Sequence, residues 1–226
     1  MTVMSTLKKP LLAIALVASV AMVGCANQAS APSGEGRPAD SAVDSAVDPE
    51  SDSGADHAMT LGPKDDNFEL RFIDGMIPHH RGAVIMAREA LEKSERPEIQ
   101  ALAQEILDTQ RQEIRQLRNW RGNWYPDAGE EAVMWHEEMG HEMPMTKEME
   151  RSMMMSADLG EADDEFDLRF LDAMIPHHEG ALVMAQEALD KSGRPRVRQM
   201  AEDIIASQQA EIDQMQQWRQ EWYGGS

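Results

Sequence analysis

The sequence predicts an all-α protein, a four-helix bundle built from two duplicated helical hairpins with a methionine-rich crossover segment between them. Helix-forming residues dominate the chain after residue 65, whereas Val and Thr are sparse. The segment 68–125 returns without a gap at 166–223, with 31 identities in 58 positions. Apolar residues recur at helical spacing in each copy, and two such hairpins cover their apolar faces most simply as a bundle.

Composition limits the classes of function. The chain has 226 residues and 42% apolar residues, which is enough to fill a core. Its formal net charge of -20 argues against nucleic acid as a partner, because the phosphates would be repelled. An acidic surface concentrates cations, although it also simply confers solubility.

Residues 1–24 are interpreted as a lipoprotein signal peptide. Two lysines precede the apolar run 11–23, which is too short to span a bilayer, and the run ends at the only cysteine, Cys25. A small residue before a lone cysteine resembles the lipobox of bacterial lipoproteins. We therefore expect lipidation of Cys25, with the protein outside the cytoplasm and tethered to a membrane only through its acyl chains. The alternative is an ordinary signal peptide with an incidental cysteine.

The next segment, 25–64, is interpreted as a disordered acidic tether. It consists largely of Ala, Ser, Pro, Gly and Asp, and such a composition cannot bury enough apolar surface to offset its chain entropy. The bundle is predicted to occupy residues 65–226. Short acidic and amide side chains at its start, Asp65 to Asn67, are expected to cap the first helix.

The bundle divides into repeat 1 at 66–125, the crossover at 126–164 and repeat 2 at 165–224. In repeat 1 we predict a helix near 67–93, a break at 94–96, and a second helix that Pro97 opens and that runs to about Trp124. Pro195 repeats the same break in repeat 2.

A Met-Ile-Pro-His-His block lies inside the first helix of each repeat. Helical spacing places Met76, His79 and Met86 on an inward stripe, with His80 at its edge and Asp74 on the far side of the helix. Because adjacent histidines on a regular helix point about 100° apart, we expect one of each pair to face the interior and the other a groove or solvent. Pro78 is expected to kink or restart the helix. The corresponding residues of repeat 2 are Met174, His177, His178 and Met184.

Two polar residues, Gln110 and Glu113, interrupt the apolar stripe of the second helix. Folding the hairpin about residue 95 brings them level with the histidines. One interpretation is that they orient imidazoles that bind a metal. The other is that they belong to a hydrogen-bonded network that only fixes packing. Gln208 and Glu211 are their duplicates.

The crossover is the second candidate metal-binding region. From Met134 to Met155 it contains eight methionines and two histidines, but neither Leu nor Ile. Thioether sulfur suits Cu(I), and imidazole suits copper in either oxidation state. The alternative is an amphipathic crossover helix that uses Met as an adaptable filler. The candidate ligands in this region are His136, Met139, His141, Met143 and Met145.

The paired F-x-x-R-F-[IL]-D-x-M-I-P-H-H-x-G-A blocks, each followed by Q-x-x-E-I-x-Q-[LM]-x-x-W, resemble the domain-of-unknown-function 305 family over roughly residues 66–224. The resemblance implies a ferritin-like four-helix fold, export in many members, and copper binding and tolerance through Met and His in some. Carried onto this chain, the copper association falls on Met76, His79, His80, Met86, Met174, His177, His178 and Met184.

The leading hypothesis is an exported, lipid-anchored protein that sequesters or transfers Cu(I), and also Cu(II), without catalytic turnover. The sequence has no catalytic-triad order, phosphate loop or H-E-x-x-H motif. One alternative is a ferritin-like diiron or dimanganese oxidase, although neither repeat contains the Glu-x-x-His motif of such sites. The other is an envelope scaffold or interaction protein with a purely structural histidine network. The oxidase would use His79, Glu113, His177 and Glu211.

Overall fold

The computed structural model of the chain describes residues 60–224. Cys25, the signal peptide and most of the expected tether therefore lie outside the described residues. Within the described part, no helix combines the length and the apolar character that a membrane crossing needs. The elements in chain order are α1 (Phe68–Lys93), α2 (Pro97–Trp124), β1 (Val133–His136), β2 (His141–Pro144), α3 (Lys147–Met154), α4 (Phe166–Lys191) and α5 (Pro195–Tyr223).

Four long helices form the bundle, which confirms the predicted fold class. Helices α1 and α2 pack along each other as one hairpin, α4 and α5 pack as the other, and α1 packs against α4. Pro97 and Pro195 lie in the first turns of α2 and α5, where the missing N–H of proline would have had no intrahelical partner. The helix bounds agree with the sequence-based bounds to within one residue in repeat 1.

The turn of each hairpin packs against the far end of the other hairpin. The guanidinium of Arg194, between α4 and α5, lies 4.4 Å from the ring centroid of Trp124 at the end of α2. Arg96, between α1 and α2, lies 4.3 Å from the ring of Trp222 near the end of α5. These reciprocal cation–π contacts show that the duplication is also an approximate twofold relationship in space.

Capping at the start of α1 differs from the expectation. No side chain caps the helix; instead the Asp65 carbonyl accepts from the Phe68 N–H, and the Asp65 carboxylate accepts from the Asn67 N–H. Asp163 makes the equivalent contacts before α4. Leu61 is fully packed in the core, so the packed chain extends at least four residues before the expected boundary at 65.

Arg71 joins three segments at the start of α1. Its buried guanidinium donates to the Leu61 and Pro63 carbonyls and to the carboxylates of Asp65 and Glu142. A buried guanidinium needs this many acceptors, because an unpaired charge there would be strongly destabilising. Arg71 therefore fixes both the entry to the bundle and the β1–β2 hairpin against α1.

The crossover does not form one long amphipathic helix, so that interpretation of residues 133–144 is wrong. β1 and β2 form an antiparallel hairpin, with Gly140 in the left-handed region at its turn. Pro144 then ends the second strand, and Thr146 caps the short helix α3 by accepting from the Met149 N–H. The hairpin is favoured because it docks on the bundle, where Trp135 of β1 packs over Arg71 of α1.

Because the crossover covers it, α1 is buried on nearly every side from residue 68 to residue 80. Asp74, expected on the far side of the helix, is buried and accepts from Arg121 at 2.6 Å and from the Val133 N–H at 2.9 Å. Burial raises the pKa of Asp74 despite these contacts, which lower it. Asp74 thus ties α1 to α2 and to the hairpin.

Candidate metal centre

All four histidines of the two Met-Ile-Pro-His-His blocks are fully buried. His79, His80, His177 and His178 are each 0% exposed, so the expectation that one of each pair faces a groove or solvent is wrong. The reason is that α1 and α4 contact each other at these positions while α2 and α5 flank them. Pro78 does not restart the helix, which continues to Lys93 as one element. We call these four residues the histidine layer.

The layer is centred on the contact between the two repeats. The ring centroids of His79 and His177 are 4.0 Å apart, and the His177 Nε2–H donates to the His79 carbonyl at 3.0 Å. The neighbouring rings of His80 and His178 lie 6.3 Å from His79 and 6.0 Å from His177, respectively. Four imidazoles therefore share one level of the bundle.

The outer histidines each face a carboxylate from the second helix of their own repeat. The His178 Nε2–H donates to Glu211 Oε2 at 2.5 Å. His80 Nε2 lies 2.8 Å from Glu113 Oε2, although off the direction of a straight N–H···O bond. The expected contact between a buried histidine and Glu113, with its duplicate at Glu211, is thus present.

Burial keeps three of the imidazoles neutral. Desolvation lowers the pKa of His177 and of His178 to about 3, and it lowers the pKa of His79 well below its usual value. Burial raises the pKa of Glu211 to about 7, and repulsion from Glu113 adds to this shift. At neutral pH His79, His177 and His178 are therefore uncharged, which is the form of histidine that binds metals.

The hydrogen bonds also determine which ring nitrogen is available. The Nε2 of His177 donates to a carbonyl, and the Nε2 of His178 donates to Glu211 when that carboxylate is ionised. In these states the lone pair of each neutral ring is on Nδ1. Neither of these Nδ1 atoms has a hydrogen-bond partner among residues 60–224. The same holds for Nδ1 of His80 and for both ring nitrogens of His79. The layer thus contains several buried nitrogen lone pairs with nothing to bind.

The methionines of the two blocks are buried in the core. Met76, Met86, Met174 and Met184 are all 0% exposed. The sulfur of Met184 lies against Gly75, where an added Cβ would be 3.7 Å from it, and Gly75 is one turn before His79. A thioether therefore lies at the α1–α4 contact within about one helical turn of the imidazoles.

The orienting role expected of the two amide residues stays a prediction. Gln110 and Gln208 are buried, but neither polar atom of the Gln110 side chain is hydrogen-bonded within the described part of the chain. The Gln208 Oε1 atom likewise has no partner there. The carboxylates of Glu113 and Glu211 lie within ion-pair distance of His80 and His178, respectively, because they are level with these histidines.

Sequence reasoning missed the role of Gly82. A Cβ at this position would lie 1.7 Å from the Met154 carbonyl oxygen and 3.1 Å from His177 Nε2. Only glycine lets the end of α3 approach the histidine layer this closely. The available signal was the glycine that follows each histidine pair by two residues in the repeated block.

The candidate ligands of the crossover lie on the hairpin and just after it, not in the bundle core. His141 and Met139 are exposed, and Met139 is 63% exposed at the turn. His136, Met143 and Met145 are partly buried. The structure therefore separates the sequence-based candidates into the histidine layer with its methionines and a group on the crossover.

The types of donor atom in the layer suit a soft metal ion, although they are not arranged as a complete coordination shell. Across residues 60–224, no three His, Cys, Asp or Glu side chains converge as a ready-made metal site. The layer instead offers neutral imidazoles near thioethers. These donors suit copper, whereas iron and magnesium sites need more carboxylate oxygens.

Known proteins match this chain over most of the bundle. The solved structure of CopM in the Cu(II)-bound form is 37% identical, covers 69% of this chain and 97% of CopM, and superposes with a TM-score of 0.55. CopM in the Cu(I)-bound form is 33% identical over the same shares, with a TM-score of 0.53. A DUF305 fragment from Deinococcus radiodurans is 31% identical, covers 68% of this chain and 95% of the fragment, and has a TM-score of 0.53.

A curated relative shares a shorter stretch. The uncharacterized protein L153 of Acanthamoeba polyphaga mimivirus is 45% identical over 49 residues, which is 22% of this chain and 32% of that protein. The family model described as "Domain of unknown function (DUF305)" matches residues 69–219. The chain belongs to the DUF305 family.

Proposed function

We propose that this protein binds copper at the histidine layer and holds it or passes it on. The observation that supports this most strongly is the set of buried Nδ1 atoms without partners among the described residues. Each unsatisfied buried polar atom costs about 1–3 kcal/mol, so an apolar core would be more stable. A ligand for these lone pairs accounts for their retention.

The relatives support copper in general. CopM has been solved with Cu(II), with Cu(I) and with Ag. The comparisons point to a metal-binding, non-enzymatic protein. In this chain, neutral imidazoles close to thioethers favour Cu(I), while imidazole also accepts Cu(II). The proposed ligands are drawn from Met76, His79, His80, Met86, Met174, His177, His178 and Met184.

The carboxylates behind the layer would assist binding. When a cation binds Nδ1 of His178, the Nε2–H of the same ring still donates to Glu211, which fixes the ring and increases its basicity. The Glu211 pKa of about 7 falls when positive charge approaches, so Glu211 becomes ionised and offsets the charge of the ion. Because His79, His177 and His178 are already neutral, uptake at pH 7 requires none of these three histidines to lose a proton.

Export and lipid anchoring belong to the same proposal. The support is the sequence alone: an apolar run at 11–23 is followed by Gly24 and Cys25, and then by an acidic segment. In this arrangement the bundle would bind copper outside the cytoplasm at the end of a tether. Cys25→Ser should move the protein from the membrane fraction to the soluble fraction of its host, and unchanged fractionation would contradict the anchor.

The copper proposal is tested by titrating the full chain with Cu(I) under anaerobic conditions against a competing chelator. The His79→Leu/His177→Leu variant should bind Cu(I) at least tenfold more weakly than the wild type. Met215→Leu is the matched control, because Met215 is equally buried but lies on α5 outside the proposed ligand set. A folded double variant with wild-type Cu(I) affinity would overturn the proposal.

The oxidase alternative has less support. A diiron site of this type takes carboxylates from all four helices, but in the histidine layer only Glu113 and Glu211 contact histidines. Residues 60–224 also contain no ready-made group of three such ligands. Aerobic addition of Fe(II) should therefore produce no oxo-bridged diiron absorption.

A further inference from the structure

One face of the β1–β2 hairpin is docked on the bundle. Trp135 and Glu142 are paired across the two strands. The Arg71 guanidinium lies 5.3 Å from the Trp135 ring centroid, and Arg71 and Asn67 both donate to the Glu142 carboxylate, at 2.9 and 2.7 Å. These contacts orient the hairpin so that the Trp135 side faces α1.

The opposite face carries four soft or borderline donors. Because side chains alternate along a strand, the residues on either side of Trp135 and Glu142 point away from the docked face. They form two cross-strand pairs, Met134 with Met143 and His136 with His141. Side chains paired in this way have Cβ atoms about 4.5–5.5 Å apart. We call Met134, His136, His141 and Met143 the hairpin face.

The hairpin face lies outside the core. His141 is exposed, and the other three residues are partly buried. His141 Nδ1–H donates to the Met139 carbonyl at 3.2 Å, which leaves the Nε2 lone pair free for a metal. His136 Nδ1 accepts the Met139 N–H at 3.3 Å, and binding through this nitrogen would replace that one long contact.

We propose that the hairpin face is a second copper site, selective for Cu(I) and separate from the histidine layer. It has two imidazoles and two thioethers but no carboxylate or thiolate. This set disfavours Zn(II) and hard cations, while the thioethers favour Cu(I). Since the site is accessible, it can take Cu(I) without any opening of the bundle.

The pairing of β1 with β2 also indicates which crossover residues belong to the proposed site and which only lie near it. Met134, which sequence reasoning did not single out, lies opposite Met143 on this face. Met139 is excluded because it lies at the turn, outside the strands. Met145 lies beyond the end of β2 and lines a groove with Pro78 and Arg121.

The test compares the number of Cu(I) equivalents that the full chain retains against a competing chelator under anaerobic conditions. Met134→Leu/Met143→Leu should lose one equivalent, whereas the matched control Met139→Leu/Met145→Leu should lose none. His141→Asn, at an exposed position that does not threaten folding, should weaken one site at least tenfold. Ag(I), used in place of Cu(I), should give the same pattern.

Two results would overturn this inference. One is wild-type stoichiometry and affinity in both the methionine double variant and His141→Asn. The other is a loss of one Cu(I) equivalent in the control variant Met139→Leu/Met145→Leu as well. In either case the proposed function would still stand if His79→Leu/His177→Leu loses Cu(I) binding, because that variant tests the histidine layer and not the hairpin face. Loss of one equivalent in that layer variant, with the hairpin equivalent retained, would support both sites as independent.

Discussion

The imidazole rings of His79 and His177 lie 4.0 Å apart across the contact between the two repeats, and neither nitrogen of His79 has a partner among residues 60–224. A network that served only packing would satisfy its buried polar atoms. Within residues 60–224, buried polar atoms are thus left without partners at the place where the repeated block concentrates histidine. This departure separates the copper-binding account from the scaffold account, because the two predict opposite effects of replacing His79.

His79→Leu should stabilise the metal-free protein. The substitution replaces an unsatisfied buried ring with an apolar side chain, and we expect the free energy of unfolding in urea to rise by about 1–2 kcal/mol. The exposed His141→Leu change is the control and should alter stability by less than about 0.5 kcal/mol. Clear destabilisation by His79→Leu would instead favour the structural network of a scaffold protein.

Acid should destabilise the bundle. The folded-state pKa values of His177 and His178, about 3, lie below their usual 6.5, and that of His79 is lowered too. The unfolded chain therefore binds more protons, so the stability that these groups provide is present above pH 6.5 and lost as the pH falls towards 3. Glu211 and Asp74 have raised pKa values and act in the opposite direction.

The three histidines with lowered pKa values should change the stability of the fold with pH more than the two carboxyl groups with raised pKa values. The urea midpoint of the metal-free protein should fall between pH 7 and pH 4, and the fall should be smaller in His79→Leu. Glu211→Gln removes an opposing contribution, so its midpoint should fall more steeply below pH 7. A midpoint that stays constant or rises on acidification would contradict the neutral, buried state of His79, His177 and His178.

The duplicated arginines should differ in importance. Arg71 is 1% exposed and holds the hairpin, whereas Arg169, its counterpart on α4, is 32% exposed and contacts Asp163 and nearby carbonyls. Arg71→Ala leaves Asp65 and Glu142 without their partner and should cost about 3 kcal/mol in chemical unfolding. Arg169→Ala should cost about 1 kcal/mol or less because solvent screens its ion pair. Equal losses would show that Arg71 does not anchor the crossover.

Two helical glycines should respond in opposite ways to alanine. Gly82→Ala would force the Met154 carbonyl away from α1 and should lower the melting temperature. Gly122 has no atom within 4 Å of an added Cβ, so Gly122→Ala should gain helix propensity, about 1 kcal/mol. Thermal unfolding of both variants checks this. A neutral Gly82→Ala change would mean that α3 does not need its close approach to the histidine layer.

The helices were predictable because their signals are local. Apolar periodicity and the prolines Pro97 and Pro195 define each hairpin within the sequence that forms it. The level at which Glu113 meets His80 also follows from folding one hairpin about its turn. These features required no knowledge of how the two repeats pack.

The remaining features depend on contacts between distant segments. Burial of His80 and His178 follows from the packing of α1 on α4, which spacing along one helix does not reveal. The hairpin at 133–144 is too short for its alternation to stand out, and its docking depends on Arg71, more than 60 residues away. Helical spacing also placed Asp74 on the far side, since it gave no information about Arg121 or the crossover.

Anomalous diffraction at the copper edge from crystals of the Cu(I)-loaded protein would show whether the histidine layer holds copper. We expect a peak between α1 and α4, about 2 Å from imidazole nitrogens of the histidine layer. A weaker or separate peak on the hairpin face would add the second site. Copper found only at the surface, with no peak at the layer, would contradict the proposal that the buried histidines hold the metal.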